Sequence, residues 1–306
     1  MPLGVGRLAH RICVALLILA PLWPSSTGAA QQMTAAEVTA LVAPPPDHRI
    51  AYGDDPLQFG HLRLPAGEGP HPVVLFLHGG CWLSRYDIAH VGALEEGLRA
   101  AGYAVWSVEY RRVGDAGGGW PGTFHDVGRG ADHLRVLAAR FPLDLSRLVV
   151  AGHSAGGHLA LWLAMRSRIA SGPLRVTDPV AVSAVVALAP APALEALHAE
   201  GVCGGVIDRL MGGGPEQVPE RYEAVSPMRA PPDVPQVLLI GAHDASWAPY
   251  GRAYAKATRA APVSERLRVV EAPDAGHFEM IAPTSSTWPL VLAALEEAFA
   301  TAVPER

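Results

Sequence analysis

The sequence is poor in charge and has almost no lysine. Charged residues make up 17% of the 306 positions, with 24 basic and 29 acidic side chains. Lys256 is the single lysine, so arginine carries nearly all of the positive charge. No segment concentrates basic residues as nucleic-acid-binding proteins do, and no run of like charge resembles an interaction tail. The sequence therefore gives no reason to expect a nucleic-acid partner.

Cysteine is scarce as well, with three residues in the chain. Cys13 lies in the N-terminal apolar run, which leaves Cys81 and Cys203 for the rest of the protein. Two cysteines without C-x-x-C spacing do not predict a metal site, and the sequence indicates no cofactor. Their pairing stays open, because an exported protein meets an oxidising compartment whereas unpaired buried cysteines are common.

The N-terminal apolar run, residues 12–22, is too short to cross a membrane, since a spanning helix needs roughly 20 apolar residues. Arg7 and Arg11 flank its start, and small residues follow it up to Ala30. This pattern is typical of a secretory signal peptide, with an uncleaved membrane anchor as the alternative. We expect cleavage near Ala30 to remove residues 1–30 and export the mature protein, periplasmic or secreted, without stable membrane insertion.

Apolar residues, by contrast, make up 50% of the chain, which is enough for one sizeable core. Segments typical of buried strands alternate with helical patterns along the chain. The predicted strands lie at residues 73–77, 103–110, 148–151, 182–189, 236–241 and 267–270. Such alternation favours a parallel sheet covered on both faces. The sequence therefore predicts an α/β fold with one doubly wound, mostly parallel sheet and helices on both faces.

The composition divides the rest of the chain into segments. Residues 31–56 are rich in alanine, threonine and proline, and we expect a loosely structured lead-in there. Residues 57–306 carry the strand and helix patterns of one domain, beginning with an antiparallel strand at 57–64. Residues 190–235 are rich in proline, glycine and alanine and have little periodicity. We predict that they form a small lid insertion; the alternative is a helical crossover with a long loop.

One stretch places a serine between a predicted strand and a predicted helix. Residues 147–164 read RLVVAGHSAGGHLALWLA, with Ser154 at the apex and Gly152 and Gly156 two residues to either side. A serine at such a turn adopts a strained backbone, and bulky neighbours would clash with the strand and the helix. The turn lifts the hydroxyl above the sheet edge, beside the first N–H groups of a helix. A glycine-serine loop without chemistry is the alternative for this motif alone.

An acid and a histidine follow the serine at the ends of later predicted strands. Asp244 comes just after the strand at 236–241, and His277 lies in a glycine-containing loop after the last strand. Histidine can take the serine proton near neutral pH, and a buried carboxylate can fix its tautomer. Asp274 competes for the acid role, but it lies only three residues before His277, which makes the facing geometry awkward. We predict Ser154, Asp244 and His277 as the catalytic residues.

The chain has thirteen histidines, so the choice of base needs support. His243 is the nearest rival because it adjoins the predicted acid. His153 and His158 flank the serine and are expected to point elsewhere, and His78 is expected to hold its loop. Only His277 follows the last strand inside a loop that contains glycine.

An oxyanion hole is predicted at the end of the strand at 73–77. His-Gly-Gly-Cys-Trp follows this strand, and two successive glycines let backbone N–H groups approach a ligand closely. The predicted donors are the N–H groups of Gly80, Cys81 and Ala155. For the H-G-G motif alone, a plain turn at the strand end is the alternative.

The predicted pocket is aromatic. Loops at the active face of the sheet carry four such residues: Trp82, Trp120, Trp247 and Phe278. A flat or aryl group is a suitable guest for such a pocket. Trp120 has an alternative role in pinning its glycine-rich loop. Arg111 and Arg112 could bind a substrate carboxylate, but we favour a role in holding loops or facing solvent, and Asp126 is interpreted as a first-turn helix charge.

Four motifs together identify a family. H-G-G-x-W at 78–82, G-H-S-A-G-G-H at 152–158, G-x-x-D at 241–244 and G-H-F at 276–278 resemble the α/β-hydrolase superfamily. The closer resemblance is to the esterase branch that includes kynurenine formamidases, hormone-sensitive-lipase-like carboxylesterases and some feruloyl esterases. It covers residues 73–299 and is specific for the superfamily, not for a substrate. H-G-G-x-W matches the formamidase type, whereas Cys81 breaks the lipase-type H-G-G-G.

The motifs and the resemblance predict a serine hydrolase that cleaves short-chain or aryl carboxylic esters through an acyl-enzyme on Ser154. An arylformamidase is the alternative, although formamidases act on a cytosolic metabolite and this chain is predicted to be exported. A serine peptidase would need a larger substrate-gating domain, and a non-catalytic binding protein would not need the trio. The expected partner is a small-molecule ester; the sequence does not indicate an oligomeric state.

Overall fold

The computed structural model describes Met1 and residues 32–301. The chain divides into the units Met1–Gln31 and Gln32–Arg306, and the second holds every element described here. Except for Met1, the predicted signal peptide lies outside the described residues. Among the residues that are described, no helix is both long enough and apolar enough to cross a membrane.

The described part of the chain forms one eight-stranded sheet. Its strands are β1 His48–Ala51, β2 Phe59–Arg63, β3 His71–Leu77, β4 Ala104–Val108, β5 Leu143–His153, β6 Ala184–Leu188, β7 Gln236–Gly241 and β8 Leu267–Ala272. They lie in the order β1-β2-β4-β3-β5-β6-β7-β8. The β1–β2 and β2–β4 pairs are antiparallel, and all the other pairs are parallel. The predicted mostly parallel sheet is confirmed.

Helices cover both faces of the sheet. They are α1 Ala35–Thr39, α2 Gly92–Ala100, α3 Gly122–Asp132, α4 Leu134–Ala138, α5 Ala155–Met165, α6 Leu194–Ala199, α7 Val202–Met211, α8 Pro219–Val225, α9 Ala248–Arg259 and α10 Trp288–Thr301. Side chains alternate across β3, so that Leu75 and Leu77 join the core under α3–α9, and Val74 and Phe76 join the core under α1, α2 and α10. Both faces of the central strands are buried, which explains why β3 is apolar from Val73 to Leu77.

The stretch expected to be a loose lead-in carries α1 and β1. Thr34 and Glu37 form a capping box at the start of α1, in which each side chain accepts from the other residue's N–H. The strand β1 pairs with β2 over four residues. Arg63 in β2 donates to the carbonyl of Pro44, which holds the connection between α1 and β1 against the sheet. The capping box is local, but the pairing of β1 and the bond from Arg63 join more distant residues, which composition alone did not reveal.

Residues 190–235 form α6, α7 and α8 between β6 and β7. Their apolar side chains, among them Val206, Leu210 and Tyr222, are buried in the main core rather than in a separate layer. This packing agrees with the helical crossover, which was the alternative for the segment, and the lid insertion stays a prediction.

Candidate active site

Ser154 lies at the apex of the turn between β5 and α5, with the strained backbone that the sequence predicted. Its φ is 56° and its ψ is −118°, and its N–H donates to the Leu188 carbonyl at 2.9 Å. A Cβ at Gly152 would lie 2.2 Å from the Gly156 carbonyl oxygen, and one at Gly156 would lie 2.0 Å from that of Leu77. No side chain fits in those gaps, so both glycines are required for the turn to pass so close to β3 and α5.

His277 and Asp244 meet at the same edge of the sheet. The Nδ1–H of His277 donates to Asp244 Oδ2 at 2.7 Å, and the Trp247 N–H donates to Asp244 Oδ1 at 3.0 Å. The carboxyl group is 3% exposed, so water does not compete for it. This bond leaves Nε2 as the ring nitrogen that can accept a proton. Ser154 and His277 line one cavity, whereas the competing acid, Asp274, is exposed.

The rival histidines are either exposed to solvent or bonded to backbone carbonyls. His243 is exposed to solvent. His158 donates from Nε2 to the Val225 carbonyl at 3.0 Å, inside the core. His153 was expected to point away from the site, but it lines the same cavity, and its Nε2–H donates to the His277 carbonyl at 2.8 Å. This bond holds the backbone of the histidine loop, a contact that the flanking sequence does not reveal.

The predicted oxyanion loop reaches the cavity. Gly80, at φ 107°, and Cys81, at φ 54°, both line it beside the serine. A Cβ at Gly80 would lie 2.4 Å from that of Tyr86, so glycine is required there. Ala155 follows the serine at the start of α5. Among the described residues, the N–H groups of Gly80, Cys81 and Ala155 donate to no protein acceptor, which leaves all three for a ligand.

A buried charge cluster supports this loop from below. Nε2 of His78 lies 3.0 Å from Glu109 Oε1, and its Nδ1 lies 2.8 Å from the Gly79 carbonyl oxygen, so both ring nitrogens have an oxygen partner. Glu109 also accepts from Arg112 at 2.9 Å and from the Ile88 N–H. Burial alone would raise the pKa of Glu109, but His78 and Arg112 outweigh it and lower that pKa to about 2. Sequence reasoning missed Glu109, because nothing local marks it.

The two arginines after β4 hold loops and do not face the cavity. Arg111 binds Asp126 through two nitrogens, at 2.7 and 2.8 Å. Arg112 is 2% exposed and binds Asp115 at 3.1 Å in addition to Glu109. The favoured loop-holding role agrees with these contacts. Asp126 is fully buried, so it is an ion-pair partner rather than a solvated first-turn charge.

Cys81 and Cys203 are joined in a disulfide, which answers the question that the sequence left open. Their Cα atoms lie 6.3 Å apart, and the bond spans 122 positions of sequence. It connects the oxyanion loop to the first turn of α7. The loop that carries two of the predicted donors is therefore covalently attached to the crossover segment.

The cavity above Ser154 has a volume of about 120 Å³. Trp247 and Phe278 line it, as the sequence predicted, and the Trp247 ring stacks on His277 at 5.3 Å between centroids. No residue of the segment 190–235 lines it. The remaining walls come from residues that the sequence did not single out: Ala35, Val38, Thr39, Tyr86 and His90.

Two of the predicted pocket aromatics do not line this cavity. Trp82 is 1% exposed and lies edge-on to His158 inside the core, and its backbone has a positive φ of 53°. The ring of Trp120 packs against Phe124, and the backbone N–H of Trp120 donates to the Leu210 carbonyl at 2.7 Å. Trp120 therefore pins its loop, which was the alternative for this residue.

The buried histidines predict how stability depends on pH. Burial lowers the pKa of His158 to about 4 and that of His153 well below its ordinary 6.5. Below pH 6.5 these two histidines bind protons in the unfolded chain but not in the folded protein. Their contribution to stability is therefore fully present above pH 6.5 and is lost as the pH falls through 4. We expect the free energy of unfolding, measured in urea, to fall by about 3 kcal/mol or more between pH 7 and 4. A His158→Gln variant should show a shallower dependence; an equal slope in both proteins would contradict this assignment.

The chain matches one protein-family model and resembles several curated esterases. The BD-FAE family model matches residues 62–251, more than half of the chain. Esterase LipC of Mycobacterium tuberculosis is 33% identical over 114 residues, which cover 37% of this chain and 28% of LipC. Versiconal hemiacetal acetate esterase of Aspergillus parasiticus is 33% identical over 164 residues, which cover 52% of this chain and 48% of that enzyme. The matches thus span less than half of these two relatives.

Solved structures share the fold. Esterase B from Lactobacillus Rhamnosis (HN001) superposes with a TM-score of 0.68 at 20% identity, covering 85% of this chain and 88% of that protein. At this level of identity the likeness extends to the fold and no further.

Proposed function

The chain belongs to the BD-FAE family, and from that membership we propose that it is a serine-dependent hydrolase of carboxylic esters. One observation carries the proposal: Ser154, the base His277 and free backbone N–H groups of the oxyanion loop meet at one cavity, with Asp244 bonded to the base. The esterases that it resembles support the same chemistry. The geometry suits acyl transfer, because a nucleophile, an oriented base and oxyanion donors are all required for it.

The reaction proceeds in two halves. Ser154 Oγ attacks the ester carbonyl carbon while His277 Nε2 takes the hydroxyl proton. The N–H groups of Gly80, Cys81 and Ala155 stabilise the oxyanion that forms, and Asp244 stabilises the imidazolium. When the tetrahedral intermediate collapses, the C–O bond to the alcohol breaks, and the alcohol oxygen takes the proton from His277. The acyl group then remains on Ser154.

Water completes the second half. It attacks the acyl carbon while Nε2 of His277 takes one of its protons. The second tetrahedral intermediate collapses, the bond to Ser154 Oγ breaks, and the serine regains the proton from the histidine. The acid is released, and the protein returns to its starting protonation state with no cofactor consumed.

The size of the cavity supports short-chain or aryl esters as substrates. An apolar cavity of about 150 Å³ accommodates a benzene molecule, so one of about 120 Å³ holds a group of a few carbon atoms. Trp247 and Phe278 offer flat apolar surface to such a group. An acyl chain of fatty-acid length is larger than this cavity and would extend beyond it.

The substrate class is tested with a panel of esters. We expect kcat/KM for p-nitrophenyl acetate or butyrate to exceed that for the decanoate by at least about 100-fold, since one methylene that does not fit already costs roughly tenfold or more. N-formylkynurenine belongs in the panel, because the H-G-G-x-W motif favours an arylformamidase as the second candidate. If kcat/KM for N-formylkynurenine exceeds that for the short esters, the formamidase is the correct function.

Export of the mature protein is part of the proposal. Residues 1–30 have the pattern of a signal peptide, and the Cys81–Cys203 disulfide suits an oxidising compartment. We expect intact-mass spectrometry of protein from the culture medium or periplasm to give a chain that lacks residues 1–30. Its mass should be lower than that of the reduced chain by two hydrogen atoms. A full-length chain, or two free thiols in the denatured unreduced protein, would contradict this prediction.

A further inference from the structure

One wall of the cavity above the nucleophile comes from the N-terminal lead-in. Ala35, Val38 and Thr39 of α1 line the cavity that Ser154 and Phe278 also line. The Val38 side chain is 2% exposed and belongs to the core beneath α2 and α10. This helix is therefore a fixed, packed wall of the cavity.

The lead-in is also attached to the loop of the catalytic base. Glu279 is 5% exposed, and its carboxylate accepts from the Met33 N–H through Oε1 and from the Gly276 N–H through Oε2 at 2.9 Å. Gly276 directly precedes His277, and a Cβ at Gly276 would lie 2.9 Å from Oε1 of Gln32. One buried carboxylate thus fixes the start of α1 relative to the loop of His277. The position of this cavity wall is therefore held by a tertiary contact as well as by the local capping box.

The two halves of an ester are expected to lie on different sides of His277. A second, wider depression of about 470 Å³ adjoins His277 and Phe278 and shares Ala35 with the cavity, but Ser154 and the oxyanion loop do not line it. The leaving alcohol receives its proton from His277, so it lies on the histidine side, towards this open depression. The acyl chain is then directed into the smaller cavity, which α1 and the nucleophile both line.

We propose that α1 sets the acyl-chain length of the substrate and that Val38 is the residue that limits it. The proposal rests on the esterase function and narrows its substrate class to esters that combine a short acyl group with a larger alcohol. Val38 is the largest side chain that α1 contributes to the cavity, and it is packed from behind, so it does not give way to a longer chain. Ala35, on the same wall, leaves room that a larger side chain would fill.

The test compares Val38→Ala with a matched control, Val42→Ala, at a valine that is 95% exposed. Each protein is assayed with p-nitrophenyl acetate, butyrate, hexanoate and octanoate, and with acetates of alcohols of increasing size. We expect Val38→Ala to raise the hexanoate-to-acetate ratio of kcat/KM by about tenfold or more and to leave the alcohol series unchanged. The Val42→Ala protein should match the wild type in both series.

A space-filling variant makes the test independent of how Val38→Ala folds. Ala35→Leu should lower the butyrate-to-acetate ratio of kcat/KM by about tenfold. The proposal is overturned if neither variant changes the acyl ratios, or if Val38→Ala changes the alcohol series instead. The alcohol series is read from Val38→Ala alone, because Ala35 also lines the wider depression. Failure of the wild type to hydrolyse any ester would contradict the esterase function itself, whereas wild-type turnover with unchanged ratios in both variants contradicts only the role of α1.

Discussion

Ser154→Ala is expected to lower kcat/KM for p-nitrophenyl acetate by roughly 10⁴- to 10⁶-fold, because no other group can form the acyl-enzyme. The variant should fold normally. Alanine keeps the Cβ of serine, so the strain at φ 56° is unchanged, and the lost hydroxyl makes no hydrogen bond among the described residues. Steady-state kinetics and a thermal melt measure the two effects separately.

The control for this variant is Ser171→Ala, at an exposed position outside the cavity. We expect its kcat/KM to stay within about twofold of the wild type, because surface substitutions away from a site change little. A Ser154→Ala protein that keeps more than about a tenth of wild-type activity, with a normal melting temperature, would rule out Ser154 as the nucleophile.

Asp244→Asn is expected to lower kcat by roughly 10³- to 10⁴-fold with a small change in KM. The carboxylate now accepts the Nδ1–H of His277 at 2.7 Å and the N–H of Trp247 at 3.0 Å. An asparagine that keeps the second bond through its oxygen turns its NH₂ group towards Nδ1. The ring then carries its proton on Nε2, the nitrogen that must accept the serine proton. The lost activity should therefore appear in kcat and recover only partly at high pH.

Asp274→Asn is the matched control for the acid, since the sequence left Asp274 as its competitor. It lies in the same loop as His277 but is exposed to solvent. We expect less than a twofold change in kcat. A large loss in Asp274→Asn together with a small loss in Asp244→Asn would reverse the assignment of the acid.

The central sheet and the positions of the three predicted catalytic residues could be derived from local sequence signals. Strands buried on both faces carry unbroken apolar runs, such as residues 73–77 of β3, and β5 and α5 flank a glycine pattern that only a tight turn explains. Parallel strands bring their carboxyl ends to one edge, so residues placed after β5, β7 and β8 had to converge. The Ser154, Asp244 and His277 predictions used only these signals.

The walls of the site could not be derived in the same way, because they depend on contacts between distant segments. The lead-in seemed loose by composition, yet Glu279 binds it through Met33, a separation of 246 positions. His153 was expected to point away from the site, but its ring donates to the loop of His277, 124 positions later. Trp82 was predicted to line the pocket because it lies beside the oxyanion loop, but its side chain is buried in the core and its φ is positive. None of these contacts has a period or motif that a sequence pattern reveals.

The central claim is that Ser154 forms the acyl-enzyme, and labelling with a fluorophosphonate measures it most directly. The reagent phosphonylates an activated serine and stops at a stable adduct, so intact-mass and peptide mass spectrometry give both stoichiometry and position. We predict one adduct per chain, on Ser154, with loss of ester hydrolysis in proportion to labelling and no adduct in Ser154→Ala. Wild-type protein that hydrolyses esters but takes no label, or takes it at another residue, would contradict the account.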